Sequence, residues 1–172
     1  MCLDRSGRTV VRQPTHFHIR GTTPVLCPVV PWTAHVTTRS KGQIVYRIDK
    51  QPYGYRLTFD GFIAKDEMTQ WVADIQKALA GAPGSFGVFV DMRTLKPLQV
   101  DARQEMKKGQ VAFKTSGVQR SVVILNDPVT TMQFRRLGRE TGIDKWERYI
   151  DASAEPDWEV GGVAWLKNAK EP

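Results

Sequence analysis

From Gln43 onward, apolar and polar positions fall into blocks that switch between two periods. Ile44-Val-Tyr-Arg-Ile48 and Tyr53-Gly-Tyr-Arg-Leu-Thr-Phe-Asp60 carry the alternation of half-buried strands, and the turn cluster Asp49-Lys-Gln-Pro52 between them predicts a hairpin. In the second strand Tyr53, Tyr55, Leu57 and Phe59 face one way, and Gly54, Arg56, Thr58 and Asp60 the other, giving one apolar and one wet side. The period then becomes helical. Met68, Trp71, Val72, Ile75 and Leu79 form a single stripe over Lys65 to Ala80. Asp66 and Glu67 suit the positive end of the helix dipole, and Gly81 supplies a stop.

Phe86-Gly-Val-Phe-Val90 is apolar on both faces, as a strand with parallel neighbours and helices on both sides should be, and it is expected to end at Asp91. After a loop, Asp101 with Gln104 three residues on reads as the capping box of a helix that runs to about Ser116. The stripe of that helix (Ala102, Met106 and Phe113, with Gly109 between) is thin, and Arg103, Lys107, Lys108 and Lys114 make the remainder basic. Ser121-Val-Val-Ile-Leu125 repeats the doubly covered pattern. Asn126-Asp127-Pro128 opens a third helix with an aspartate cap and proline in the first turn. Val129, Met132 and Leu137 are its expected buried contacts, Arg135, Arg136 and Arg139 its outer face, and Gly142 its end. Trp146 to Ile150 reads as a fifth strand. Pro156 to Lys167 reads as a last helix, with Trp158, Gly161, Gly162 and Trp165 suited to close packing. The order β-β-α-β-α-β-α-β-α predicts an α/β fold, a mixed central sheet of about five strands with an antiparallel edge and helices packed on it. Residues 43–168 would form this single domain. In such folds ligands and partners gather outside the carboxyl ends of the strands, here the 91–104 connection.

Residues 1–42 keep neither period and are rich in Thr, Pro and Arg, which predicts an arm, partly disordered or extended across the body. Charge sharpens the division. Of the net +7, this arm supplies +5, through Arg5, Arg8, Arg12, Arg20, Arg39 and Lys41 against Asp4, so the body is nearly neutral. Every cysteine and histidine (Cys2, Cys27, His16, His18 and His35) also precedes residue 36. The body therefore has no thiol nucleophile, no imidazole base and no Cys/His metal ligand, and the arm's set matches no standard ligand spacing; neither a metal nor a cofactor is expected. No stretch is apolar for the ~20 residues of a membrane span, and Pro24, Pro28 and Pro31 break the most apolar early run. With two cysteines and no disulfide framework, a cytoplasmic location is expected.

The chemistry on offer is sparse. The 92–100 connection has no glycine, so a phosphate-cradling loop is not expected there. Asp91 and Asp101 are the one carboxylate pair near the strand ends that could serve acid–base catalysis, while Thr94 and Ser121 have no adjacent base to activate them.

Several landmarks together, Tyr55-Arg-Leu-Thr-Phe-Asp-Gly61, the stripe helix, Val88-Phe-Val-Asp-Met92, Arg120-Ser-Val-Val-Ile124 and Ala164-Trp-Leu166, resemble the sporulation anti-sigma-factor-antagonist-like proteins of the STAS superfamily. These are bacterial proteins whose fold is also likened to the CRAL-TRIO lipid-transfer domain. The resemblance spans residues 44–167 and implies a non-catalytic regulatory, protein-binding module. Antagonists of this kind carry a phosphorylatable serine directly after an aspartate at the start of the helix that follows the third strand. The matching positions here are Asp101-Ala102, so the hydroxyl is missing and Thr94 is the nearest fallback acceptor.

Four readings follow. The first is an interaction module whose binding edge comprises Asp91, Arg93, Thr94, Asp101, Ala102, Arg103 and Lys107 and meets an acidic protein partner. The second is a carrier holding a small apolar ligand between helix and sheet. An enzyme using Asp91 and Asp101 ranks well behind. So does nucleic-acid binding through the arm, which lacks stacking aromatics beyond Phe17 and Trp32. The arm and the exposed hairpin edge are both compatible with a homodimer.

Overall fold

The computed structural model describes residues 36–40 and 43–172, with side chains from Val45 onward; the rest of the arm, with His16, His18, Cys27 and His35, lies outside the described residues. The elements run β1 (Val36–Ser40), β2 (Gln43–Gln51), β3 (Gly54–Gly61), α1 (Lys65–Leu79), β4 (Phe86–Leu95), α2 (Val100–Thr115), β5 (Val118–Leu125), α3 (Pro128–Thr141), β6 (Glu147–Asp151) and α4 (Trp158–Asn168). The strands form one mixed sheet in the sequential order β1-β2-β3-β4-β5-β6. Pairing is antiparallel across β1, β2 and β3 and parallel from β3 through β6. The α/β alternation is the one the sequence predicts. One further strand, β1, precedes the hairpin within the stretch read as arm, and extends the antiparallel edge.

Strand order dictates where the helices go. Right-handed crossovers between strands that advance in one direction put α1, α2 and α3 on the same face of the sheet. That face holds Leu57, Phe59, Val88, Val90, Val123 and Leu125 against Trp71, Met106 and Phe134. No parallel strand follows β6, so α4 is free to cover the other face, where Trp165 and Leu166 bury Phe89, Val122, Ile124 and Ile150. Burying an anchor of this size stabilises the fold by about 2–3 kcal/mol, and the Trp165 indole N–H also donates to the Ser121 carbonyl at 2.9 Å. The double coverage explains why β4 and β5 are apolar at consecutive positions.

Helix α1 delivers its whole stripe to the core, and the Glu67 carboxylate accepts the Ala64 N–H at 2.8 Å across its first turn. Trp71 lies edge-on to Phe59, with centroids 5.2 Å apart, and rests directly on Gly109 of α2. A Cβ at Gly109 would sit 2.1 Å from the Trp71 ring. Glycine costs a helix interior about 1 kcal/mol relative to alanine, so its value here lies in the space it leaves. Gly162 plays the same part for α4, where a Cβ would approach Phe89 to 2.7 Å, whereas Gly161 meets nothing closer than 3.8 Å.

Two boundaries and one buried face depart from expectation. Strand β4 does not stop at Asp91 but continues to Leu95, through a bulge in which Thr58 pairs with Asp91 and Asp60 with Thr94. Helix α2 begins at Val100 with Gln99 as N-cap. Asp101 is therefore inside the first turn, where its carboxylate accepts the Ala102 N–H at 2.8 Å. Helix α3 has the predicted start, the Asp127 carboxylate taking the Thr130 N–H at 2.6 Å, and the predicted stop at Gly142, φ 70°. Its buried face is different, however. Thr130, Phe134, Leu137 and Gly138 point inward, while Val129 and Met132 are exposed.

Candidate functional site

Strands β3, β4 and β5 end, and α1, α2 and α3 begin, along a single edge of the sheet. The sequence-predicted residues all lie near this edge but fall into two groups on opposite layers. Asp91 and Arg93 belong to the α4 side. Asp101, Ala102, Arg103 and Lys107 belong to α2, on the other side. Asp91 and Asp101 thus do not form a carboxylate pair.

The Asp91 group is a closed clasp. Asp91 is buried and accepts two hydrogen bonds from the Arg93 guanidinium, each 2.9 Å, which raise the Arg93 pKa above its ordinary value. Arg56 from β3 approaches Asp91 at 3.8 Å and also pairs with Glu159 of α4. Both guanidinium groups stack as well, Arg93 at 4.1 Å over Trp158 and Arg56 at 4.7 Å over Phe89. Two cations and two carboxylates neutralise one another, so the cluster ties the β4 bulge to β3 and α4. Thr94, next along the bulge, is exposed, with its hydroxyl 3.5 Å from the Phe59 carbonyl.

The α2 group borders an open groove between α2 and α3, with a volume of about 390 Å³. Val100 and Met132 line it, along with Leu137, Arg103, Lys107 and Arg136. Glu140 bridges its walls, 2.6 Å from the Lys107 ammonium and 2.9 Å from Arg136, and these bonds hold its carboxyl below the usual range. The floor is fixed by Gln133, whose side-chain amide accepts from the Leu98 N–H at 2.9 Å and donates to the Leu98 carbonyl at 3.0 Å. Those two bonds pin the β4–α2 connection to α3. Ala102 faces the core and is fully buried, so a hydroxyl in its place would be shielded from solvent.

Exposed apolar side chains gather at this edge. Phe62 follows β3 and is 74% exposed; Val100 opens α2 at 64%; Val129 and Met132 lie in the first turns of α3 at 55% and 66%. Sequence reading placed the last two in the core because valine and methionine are core-forming types. What turns them outward is the Asp127–Thr130 cap together with Phe134, which fix the rotation of α3. The groove, Gln133 and the exposed apolar set were not named from sequence. A signal existed: Asp127-Pro128 fixes the helix start, and counting from it puts Thr130, Phe134 and Leu137 on one face.

A second buried polar cluster lies deeper, beneath α3. Glu147 of β6 is 6% exposed. Its carboxyl accepts from the Ser121 hydroxyl at 3.2 Å and meets the Tyr149 hydroxyl, which also lies 3.0 Å from the Phe134 carbonyl. Gly138 of α3 is cut away over the pair, since a Cβ there would come within 2.8 Å of the tyrosine oxygen and 3.1 Å of Glu147. With no cation in contact, burial pushes the Glu147 pKa up to about 7. The Tyr149 hydroxyl is raised too, by burial and by the adjacent carboxyl. Glu147, Ser121 and Gln110 touch a core cavity of about 30 Å³ between helices and sheet, a volume that accommodates about one or two waters. Among the described residues no group of His, Cys, Asp and Glu is arranged to hold a metal ion, and no helix is long and apolar enough to cross a membrane.

No protein-family model, curated protein or solved structure matches this chain.

Proposed function

We propose that this protein is a regulatory module that binds a protein partner along the carboxyl edge of its sheet, in the manner implied by its resemblance to anti-sigma-factor antagonists but without their phosphoserine switch. The observation that carries this reading is the concentration of exposed apolar side chains at the starts of α1, α2 and α3. Solvent-exposed Phe, Val and Met gathered where strands end mark a surface that gains from being covered. The groove adds charge: Arg103, Lys107 and Arg136 outnumber Glu140, so the complementary partner presents an apolar ridge flanked by acidic side chains. The absence of a hydroxyl at Ala102, and the burial of that position, support constitutive binding rather than a phosphorylation-gated one.

The test is quantitative co-purification from the native cell extract. The wild-type chain is expected to retain a stoichiometric partner that the Asp101→Arg plus Lys107→Glu variant loses, while the variant melts cooperatively. Equal recovery of the same partner by both proteins sinks the assignment of this edge.

A further inference from the structure

The lateral edge of the sheet, at β6, carries an independent feature. Strand β6 is the terminal strand, with no neighbour beyond it among the described residues. Its inward-facing main-chain groups are identified by the Trp146 carbonyl, which accepts the Ser121 N–H at 3.1 Å, and the Ala152 N–H, which donates to the Leu125 carbonyl at 2.9 Å. A parallel ladder alternates, so the N–H groups of Glu147, Tyr149 and Asp151 face away from the sheet. Beside this edge, a groove of about 300 Å³ runs between β6 and the outer side of α3, lined by Arg135, Arg139, Asp144, Glu147, Arg148 and Tyr149. The Arg135 guanidinium stacks 5.2 Å over the Tyr149 ring. Among the described residues neither Arg135 nor Arg139 has a carboxylate partner, although Arg136 between them pairs with Glu140. Lys145, at the start of the strand, is exposed as well.

We propose that the β6 edge accepts an extended acidic segment of a partner protein as a further strand, held by main-chain hydrogen bonds to β6 and by Arg135 and Arg139. Edge strands are commonly guarded by charge, and the charge here selects the guest. A second copy of β6 would set the same arginines against one another. The chain's own arm, net +5 over residues 1–42, carries the wrong sign. An acidic strand satisfies both the bare backbone donors and the uncompensated cations, a mode in which main-chain bonds give affinity and side chains give specificity. This surface is separate from the carboxyl edge, and the proposal does not depend on the function assigned there.

The experiment uses the full chain and a synthetic peptide of about seven residues alternating valine and glutamate, long enough to span the strand. Amide exchange read by NMR should slow at Glu147, Tyr149 and Asp151 when the peptide is added. Arg135→Glu plus Arg139→Glu, both at exposed positions on α3, should weaken binding about tenfold by turning two attractive charge contacts with the peptide into repulsive ones. The same peptide N-methylated at the residues that face β6 keeps its charge, but the methyl groups hold its backbone away from the strand's N–H donors, and it should not bind. Equal binding of the N-methylated peptide, or of one with lysine for glutamate, overturns the proposal, as does binding that leaves the three amides unprotected. Protection of those amides in the peptide-free protein that grows with protein concentration assigns the edge to a second copy and overturns it equally. Protection independent of concentration and abolished by removing residues 1–35 assigns it to the arm, with the same consequence.

Discussion

Replacing Glu147 by glutamine should stabilise this protein, and by an amount that depends on pH. The Tyr149 hydroxyl has one proton and two acceptors, the Phe134 carbonyl and the Glu147 carboxyl. Both are satisfied only when Glu147 is protonated and donates to the tyrosine oxygen, while Tyr149 donates to Phe134. Burial, the largest effect, outweighs the hydrogen bonds from Tyr149 and Ser121, which act to lower the pKa, and pushes the folded-state value from 4.5 to about 7. The unfolded chain releases the proton near 4.5, so between those values the folded state binds more protons, and stability falls as pH rises. Above pH 7 the loss is complete. At about 1.4 kcal/mol per unit of pKa it amounts to about 3 kcal/mol, or about 6–12 °C in Tm for a domain of this size. Glutamine reproduces the protonated acid: its amide donates to Tyr149 and its carbonyl accepts from Ser121. Urea denaturation of wild type and Glu147→Gln at pH 5, 7 and 9 should give stabilities that are closest at pH 5 and diverge upward, with the variant ahead by about 3 kcal/mol at pH 9. Coincident pH profiles, or a variant equally destabilised at pH 5 and pH 9, would refute the reasoning.

Other outcomes follow from the same packing. Gly109→Ala should destabilise the fold by about 1–3 kcal/mol despite alanine's better helix propensity, because the added methyl enters the Trp71 ring; denaturant midpoints against wild type measure it, and a gain in stability contradicts the contact. Gln133→Ala removes both hydrogen bonds to Leu98 and should cost about 1–2 kcal/mol, with faster amide exchange at Leu98 as the local signature. Met132→Asp at its exposed site should move stability by no more than about 0.5 kcal/mol, which a melting curve checks; a large loss would mean that the side chain is buried in solution.

The stretches that read correctly from sequence are those whose pattern is set locally. The α1 stripe, the alternation of Tyr55, Leu57 and Phe59, and the doubly apolar β4 and β5 each state their own environment. Where neighbours decide, the sequence says little. Val36–Ser40 lies in a Thr- and Arg-rich stretch with no period of its own and is a strand because β2 offers it an edge. The β4 bulge and the extension to Leu95 depend on β3. The helix start was placed too late because Asp101, an excellent capping type, lies two residues beyond the N-cap that the chain actually uses. For the candidate site, Arg103 and Lys107 line the open α2–α3 groove, while Asp91 and Arg93 satisfy each other on the far layer. Glu147 was invisible for a related reason. A glutamate at the start of an edge strand looks solvated until α3, notched at Gly138, is laid over it.

The central claim is that the carboxyl edge of the sheet is the binding surface. It is tested most directly by titrating the co-purified partner against three proteins: wild type, Val100→Glu plus Met132→Glu in the α2–α3 groove, and Val160→Glu on α4, an equally exposed apolar residue on the opposite face of the sheet from that groove. The expected result is wild-type affinity for Val160→Glu and a loss of about tenfold or more for the groove variant, as for charges forced against an apolar, basic-rimmed contact. Undiminished binding by the groove variant, or an equal loss from Val160→Glu, would contradict the account.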